Sequence, residues 1–228
     1  VIIWFSDRQS AQDVGMNFVN GLFMPEAISL LSGPLASTTI TASGESTGSS
    51  DVWVLLVRLG GGVRSIERQL NEVVGTAGSI NADGYAVLSD TAAKAAWDAL
   101  DDAESNAELA ARMTSLPVAA INASHAVRSD VSYGDHTGIS TICDLGFGAL
   151  TILANPSEDE QSESLTRSFV AETANHPASY VIEKCGLEIK KSRDVFSDVG
   201  SSIDLMRRIK NQYDPSNTLN PGRFAGKI

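Results

Sequence analysis

The apolar residues in the first third of the chain follow the spacing of strands interrupted by helices. Short runs rich in β-branched and aromatic residues predict buried strands, and apolar residues four positions apart, such as Val14 and Phe18, predict helix faces. The strands are predicted at residues 1–5, 26–31, 52–59 and 85–88, and the helices pass through Val14, Phe18 and Leu22 and through residues 66–75. The resulting order, strand, helix, strand, strand, helix and strand, is that of the ferredoxin-like unit.

One connection in this half is long and polar. Residues 36–51 are mostly Ser, Thr, Gly and Ala, with no spacing that would build a core. The segment is also longer than most connections between elements. We therefore expect a mobile loop, at which limited proteolysis cuts first.

The second half of the chain also mixes helices with strands. An alanine-rich helix is predicted from Asp90, capped by Ser89, to about Ala111, because alanine is the strongest helix former. The other elements are predicted as helices at 118–127, 158–174 and 203–213, and as strands at 112–116, 178–183, 187–191 and, as a pair, within 139–154. Since strands and helices do not alternate strictly, the expected fold class is α+β, an antiparallel sheet with helices packed mainly on one face.

Composition and charge exclude several classes of protein. The chain has 43% hydrophobic and 20% charged residues, which is typical of a soluble globular protein and not of a disordered one. Its 17 basic and 28 acidic residues leave a formal charge of −11, which argues against nucleic-acid binding. No apolar run approaches the ~18 residues of a transmembrane segment. Cys143 and Cys185 form no CxxC pair, so we expect two thiols in a reducing compartment, with a single bridge as the alternative.

The first residues of the chain already have the pattern of a strand. Neither a methionine nor a signal peptide precedes them, because the polar sequence SDRQSAQD follows at once. We therefore expect the sequence to be part of a longer protein.

Two local patterns resemble reactive sites but lack a component that the chemistry needs. Gly60-Gly61-Gly62 lies between a strand and a helix, as a phosphate-binding loop does, yet it has neither GxGxxG nor the P-loop Lys-Ser/Thr pair. A simple turn is the favoured interpretation. Asp135 and His136 lie in a polar segment without a nearby second histidine, so no metal site is expected.

Arg112 is a candidate for binding an anion. It stands at the start of a short predicted strand, where its guanidinium could hold a carboxylate through two parallel hydrogen bonds. The alternative is an exposed cation at the end of a long helix, where it would interact favourably with the helix dipole.

The C-terminal sequence predicts a helix followed by two turns. Pro215 stops the helix, and Asn220-Pro221-Gly222 forms a turn because proline fixes φ and glycine accepts a positive φ. Leu219 and Phe224 flank this turn and are expected to anchor it by burial.

The segment RRIKNQYDPSNTLNPGRF, residues 207–224, resembles the C-terminal signature of FAD-linked oxidases of the vanillyl-alcohol-oxidase type. The variant that ends shortly after NPGRF is similar to the FAD-binding subunit of glycolate oxidases. Weaker similarity extends to VWVLLVRLGGGVRSIERQLNEV at 52–73 and to LGFGALTIL at 145–153.

This resemblance implies that residues 1–228 are a C-terminal, ferredoxin-like cap domain that covers a flavin and shapes the substrate pocket. FAD would be held mainly by an N-terminal domain, which is absent from this sequence. The implied activity is that of a flavin-dependent oxidoreductase acting on the CH–OH group of a small 2-hydroxy acid, with the isolated cap inactive. The implied location is cytoplasmic, and peripheral attachment to a membrane through partner oxidase subunits is left open.

The resemblance also assigns roles to four residues. Asn220, Gly222 and Arg223 are expected to lie at the flavin edge, and Arg112 or Arg223 to orient the substrate carboxylate. Related dehydrogenases carry a histidine-rich, metal-associated motif near the glycine hairpin, whereas this chain reads ICDLGFGALTIL there. A metal-dependent mechanism is therefore not expected.

Two other functions remain open on the sequence alone. The chain could be a stand-alone ferredoxin-like module that binds a ligand, or a subunit-interaction domain of a larger oxidase. A flavin-domain glycine motif upstream of Val1 in the gene would favour the cap domain, and a gene that starts near Val1 would favour the module.

Overall fold

The computed structural model describes residues 1–21, 25–47, 51–80, 82–130 and 138–228. Within these ranges the chain forms eight strands and eight helices. The strands are β1 (Ile2–Phe5), β2 (Ala27–Ser32), β3 (Trp53–Arg58), β4 (Gly84–Ala86), β5 (Leu109–Thr114), β6 (Ser140–Asp144), β7 (Ala149–Ala154) and β8 (Ser179–Lys184). The helices are α1 (Arg8–Asn20), α2 (Pro34–Ala42), α3 (Val63–Ser79), α4 (Asp90–Asn106), α5 (Pro117–Ser129), α6 (Asp159–Ala174), α7 (Leu187–Ser192) and α8 (Ser202–Tyr213).

All eight strands belong to one antiparallel sheet with the order β4-β1-β3-β2-β6-β7-β5-β8. The first four strands have the order β4-β1-β3-β2, and the last four have the equivalent order β8-β5-β7-β6. Each half, taken with its helices, is thus a ferredoxin-like unit. The structure confirms the ferredoxin-like prediction and adds that the second half repeats the topology of the first.

The two units join where β2 pairs with β6. Leu30 lies opposite Cys143 in this pair, and Ser32 opposite Thr141. The hydroxyls of Ser32 and Thr141 are 2.6 Å apart and fully buried, so each satisfies the other inside the sheet. The seam is therefore continuous main-chain pairing between two halves of one sheet.

Helices cover the two faces of the sheet unequally. On one face α1, α3, α5 and α6 pack over both units and enclose the larger core, which includes Phe5, Phe18, Leu55, Met113 and Phe169. On the other face α2 and α4 form a smaller core with β1, β2 and β3, through residues such as Ile2, Leu31, Ile40 and Leu100. The prediction of an α+β fold with helices mainly on one face is confirmed.

Helix α2 contradicts the predicted loop at 36–51. Leu35, Ala36, Thr39 and Ile40 are buried, and the Thr39 hydroxyl donates to the carbonyl of Leu35 at 2.8 Å. The serine- and threonine-rich composition suggested a loop, but these hydroxyls bond to the preceding helical turn and leave one apolar face for the sheet. The prediction was wrong over Pro34–Ala42, and residues 48–50 lie outside the described part of the chain.

Three further boundaries differ from the predictions. α4 ends at Asn106 and not near residue 111, because residues 109–114 pair with both β7 and β8 as a central strand. Residues 187–191 form helix α7 and not a strand, with Glu188 in its first turn and two lysines in its last. α3 continues through Gly75, since Val73 and Ala77 on either side are buried against the core.

The packing of α2 can be tested with a substitution that leaves a cavity beneath it. Ile40→Ala removes a fully buried side chain and should lower the free energy of unfolding by about 2–4 kcal/mol. Thr41→Ala, at the exposed neighbouring position, should change it by less than about 0.5 kcal/mol. Urea denaturation measures both values. Equal effects would mean that the segment is the loop expected from its composition.

The described helices include none with the length and hydropathy needed to cross a lipid bilayer.

Candidate cofactor-interface site

The C-terminal segment after α8 folds back as a hook, defined here as residues 214–223. A groove of about 700 Å³ separates the hook from one face of α8. Apolar and polar side chains of both elements line this groove: Met206, Ile209, Lys210, Tyr213, Asp214, Leu219, Asn220, Arg223, Phe224 and Ile228. The groove thus contains two of the three predicted cofactor-binding residues, Asn220 and Arg223.

Asp214 holds the hook together. Its Oδ1 accepts hydrogen bonds from the backbone N–H of Thr218 at 2.9 Å and from the Thr218 hydroxyl at 3.0 Å. Its Oδ2 accepts the N–H of Leu219 at 2.9 Å and the Nζ of Lys210 at 2.5 Å. Lys210 Nζ also donates to the carbonyl of Leu219 at 2.5 Å. One carboxylate and one ammonium therefore fix the first turn of the hook against the end of α8.

These contacts change the acidity of Asp214. The Lys210 ammonium, followed by the N–H groups of Leu219 and Thr218, lowers the pKa of the Asp214 carboxyl well below its usual range. A carboxyl whose folded-state pKa is depressed contributes stability above its unfolded pKa of about 4, and this contribution declines as the pH falls below that value. The hook should therefore be closed at neutral pH and weaken only in acid.

The two turns of the hook use a left-handed backbone at three positions, one in the first turn and two in the second. Asn217 has φ 51°, Asn220 has φ 46° and Gly222 has φ 71°. Asparagine and glycine are the residues that adopt this conformation most readily. The N–H of Arg223 donates to the carbonyl of Asn220 at 3.2 Å and closes the predicted Asn-Pro-Gly turn.

The residues just after the hook attach it to the sheet, but not as the sequence predicted. The ring of Phe224 lies 5.6 Å from that of Phe196, and the N–H of Gly226 donates to Asp194 Oδ2 at 2.5 Å. The adjacent Ala225 is 3% exposed. The expectation that Leu219 and Phe224 provide buried anchors was wrong, because they are 63% and 53% exposed. The main chain around Ala225 is the anchor instead.

The hook and α8 leave apolar side chains open to solvent. No residue of α8, Ser202–Tyr213, is buried, while Leu205, Ile209 and Tyr213 are at least half exposed. With Leu219 and Phe224 they form an apolar surface around the groove. A helix with an apolar face that nothing within the described chain covers is typical of an interface with another domain or protein.

Arg112 lies in the middle of β5 and not at a helix end. Its Nε is 3.1 Å from Glu183 Oε1 on β8, and its Nη2 is 3.5 Å from Glu104 Oε2 on α4. The two glutamates hold one side of the guanidinium. Nη1 has no partner among the described residues, and the side chain is 39% exposed. Arg112 is therefore an oriented cation with one open edge.

The structure brings Asn220, Gly222 and Arg223 together and keeps Arg112 apart from them. Arg112 lies opposite Val181 of β8, Val181 forms a bridge with Phe196, and the Phe196 ring contacts that of Phe224. Both parts of the predicted site thus belong to the β8 end of the sheet, with β8 and residues 194–197 between them. Another domain would have to contact both parts to unite them.

Sequence reasoning missed the residues that organise this site. Asp214 was interpreted only as part of a motif, although aspartate before a Pro-Ser-Asn-Thr segment favours a turn that its own side chain closes. Glu183 and Phe196 act through contacts between elements distant in sequence. Nothing in the local pattern indicates such contacts.

The other predicted or excluded sites have clear structural contexts. The carbonyl of Gly60 accepts the side-chain amide of Gln69 at 3.1 Å, so the glycine run is a turn closed by its own helix. The sequence GESTG at 44–48 matches the serine-hydrolase pattern, but its described residues, 44–47, follow helix α2, whereas a nucleophile elbow follows a strand. Asp135 and His136 lie outside the described residues, and those described contain no group of three metal ligands.

Comparison with known proteins identifies the same part of the chain. Residues 196–224 match the family described as FAD linked oxidases, C-terminal domain. No curated protein matches the sequence. A solved structure of alkyldihydroxyacetonephosphate synthase shares the fold with a TM-score of 0.52 and 11% identity. The similarity covers 95% of this chain and 43% of that one, so the chain spans less than half of the synthase.

The matched segment contains α8 and the hook, and the shared fold covers both ferredoxin-like units. The two findings agree: residues 196–224 are similar to the C-terminal domain of FAD-linked oxidases, and the chain shares its fold with the synthase structure.

Proposed function

We propose that this chain is the cap domain of a flavin-dependent oxidase or dehydrogenase that acts on a small 2-hydroxy acid, most similar to the FAD-binding subunit of glycolate oxidases. The observation that carries the proposal is the open groove between α8 and the hook, because all its lining residues except Ile228 belong to the segment matched to the FAD-linked oxidase family. An N-terminal FAD-binding domain is the partner, with further oxidase subunits and a cytoplasmic location as parts of the same proposal.

The groove has the donors that a flavin edge requires. The side chains of Asn220 and Arg223 line it, and neither has a hydrogen-bond or ion-pair partner among the described residues. An amide and a guanidinium suit the carbonyl oxygens of a flavin ring, and Gly222 permits the turn that presents them. The apolar walls, including Tyr213 and Leu219, would exclude water from the same interface.

FAD, when bound, supplies the chemistry that accepts two electrons from the substrate. The contribution of this chain is binding and orientation. Arg112 would hold the substrate carboxylate with its open edge, because Glu183 and Glu104 already fix the other side of its guanidinium. Arg223 is the second candidate for the same carboxylate.

The proposal is tested by Arg223→Ala in the full-length protein. The substitution should lower flavin retention or turnover by about tenfold, the loss of one charge-assisted hydrogen bond. The melting temperature of the 228-residue chain should be nearly unchanged, because the Arg223 side chain has no partner within its described part. Arg208→Ala, on α8 but outside the groove, is the matched control.

Two outcomes would favour other functions. If Arg223→Ala unfolds the chain and spares the activity of what remains folded, Arg223 is structural. If the 228-residue chain alone purifies with stoichiometric flavin absorbance, it is a complete binding module and not a cap that depends on another domain. Copurification with partner subunits that survives changes at Asn220 and Arg223 would favour the subunit-interaction domain.

A further inference from the structure

A second cavity lies on the other side of the hook anchor. It is an open pocket of about 520 Å³, bordered by α6, β8, residues 193–199, α8 and Gly226. Its walls are partly apolar, with Val170, Tyr180 and Ile203 among the lining residues. We call it the Arg193 pocket.

Two arginines from different elements face this pocket. Arg193, just after α7, has a buried Nε without a hydrogen-bond partner, and its guanidinium has no ion-pair partner among the described residues. Arg207 comes from α8, and its carboxylate neighbour, the largely exposed Asp204, is 3.7 Å away. The pocket therefore contains one guanidinium without an ion-pair partner and one whose carboxylate partner is exposed and 3.7 Å away.

The two carboxylates that line the pocket accept hydrogen bonds from backbone N–H groups. Asp194 accepts the N–H of Phe196 at 3.1 Å and that of Gly226 at 2.5 Å. Asp198 accepts the N–H of Gly200 at 2.8 Å. Both acids thus shape the backbone around the pocket, and neither forms an ion pair with Arg193 or Arg207.

A buried donor of a charged group without an acceptor is unfavourable, and a ligand that provides the acceptor removes this cost. We propose that the Arg193 pocket binds a small organic carboxylate with an apolar body, whose anionic head contacts Arg193 and Arg207. The apolar body would lie against Val170 and Ile203. A tyrosine hydroxyl is protonated at neutral pH, and burial raises the pKa of Tyr180 further, so this hydroxyl can donate another hydrogen bond. The proposal does not depend on the oxidase function.

Calorimetric titration of the 228-residue chain tests this site. Benzoate should bind with a Kd below about 1 mM, acetate more weakly because it lacks the apolar body, and the cation benzylamine not at all. Arg193→Gln should weaken benzoate binding about tenfold. Arg64→Gln, which makes the same charge change at an exposed position of α3, should leave it unchanged.

Arg207→Gln is an independent variant that should also weaken benzoate binding, and it tests the proposal if Arg193→Gln does not fold. Equal binding of benzoate and benzylamine would overturn the proposal. So would benzoate binding that the folded arginine variants retain in full. Since the 228-residue chain is expected to lack FAD, these results are distinguishable from any failure of the oxidase proposal.

Discussion

Replacing Asp214 with alanine should open the hook and leave the sheet folded. The change removes the acceptor of two backbone N–H groups, one hydroxyl and the Lys210 ammonium, all within the hook and the end of α8. The hook residues lie outside both hydrophobic cores, so the global unfolding transition should persist. Hydrogen exchange at the N–H groups of Thr218 and Leu219 should accelerate about tenfold or more. In the full-length protein, flavin retention should fall with it.

Two variants and a pH series sharpen this experiment. Asp214→Asn keeps one acceptor oxygen and should give an intermediate rate of exchange, whereas Asp204→Ala, an exposed acid on the same helix, should have no effect. After correction for intrinsic exchange, protection at Thr218 and Leu219 should stay constant from neutral pH to about pH 4 and decline below it. Unchanged protection in Asp214→Ala would show that other contacts close the hook.

Gly148→Ala should lower the free energy of unfolding by about 2–4 kcal/mol. Gly148 has φ 69°, and a Cβ there would lie 1.9 Å from the carbonyl oxygen of Ser115. The carbonyl of Gly148 also accepts the N–H of Ser115 at 2.8 Å, so the β6–β7 hairpin and the start of α5 would have to separate. A side chain at this position is therefore strained both by its own backbone and by a neighbouring one.

Gly146→Ala is the matched control in the same turn. A Cβ at Gly146 would meet only the Asp144 carboxylate, at 3.4 Å, and its φ is not positive. Thermal and urea unfolding of the two variants should differ by at least about 1 kcal/mol. Equal stability would mean that the hairpin adjusts without loss and that the close approach at Ser115 is not maintained in solution.

The strongly apolar strands could be predicted from the sequence, whereas elements that depend on pairing or on buried hydroxyls could not. Residues 52–59 were predicted as a strand because almost every side chain is apolar, and β3 lies buried on both faces. In α2 the polar composition predicted a loop, but the hydroxyl of Thr39 is satisfied by a hydrogen bond within the helix. Alanine-rich residues near 110 favoured a helix, and pairing with β7 and β8 outweighed that local preference.

The local geometry of the candidate site residues was predictable only in part, for a related reason. The turn at Asn220 to Arg223 follows from local chemistry, so its shape was predictable from proline and glycine alone. The contacts of Arg112 with Glu104 and Glu183 depend on the sheet order, which places β5 beside β8. The repeat of the ferredoxin-like unit was also not evident, because topology is repeated here without a clear repetition of residues.

The order of the strands leaves β4 and β8 as the outer edges of the sheet, and both are protected against pairing with another molecule. β4 is only three residues long. Along β8, the N–H of Ile182 donates to Val195 at 2.7 Å and that of Ser197 to Tyr180 at 3.0 Å, so residues 194–197 cover the edge. The same residues hold Gly226 and Phe224. Damage to the C-terminal anchor would therefore uncover a strand edge and give the protein a tendency to aggregate.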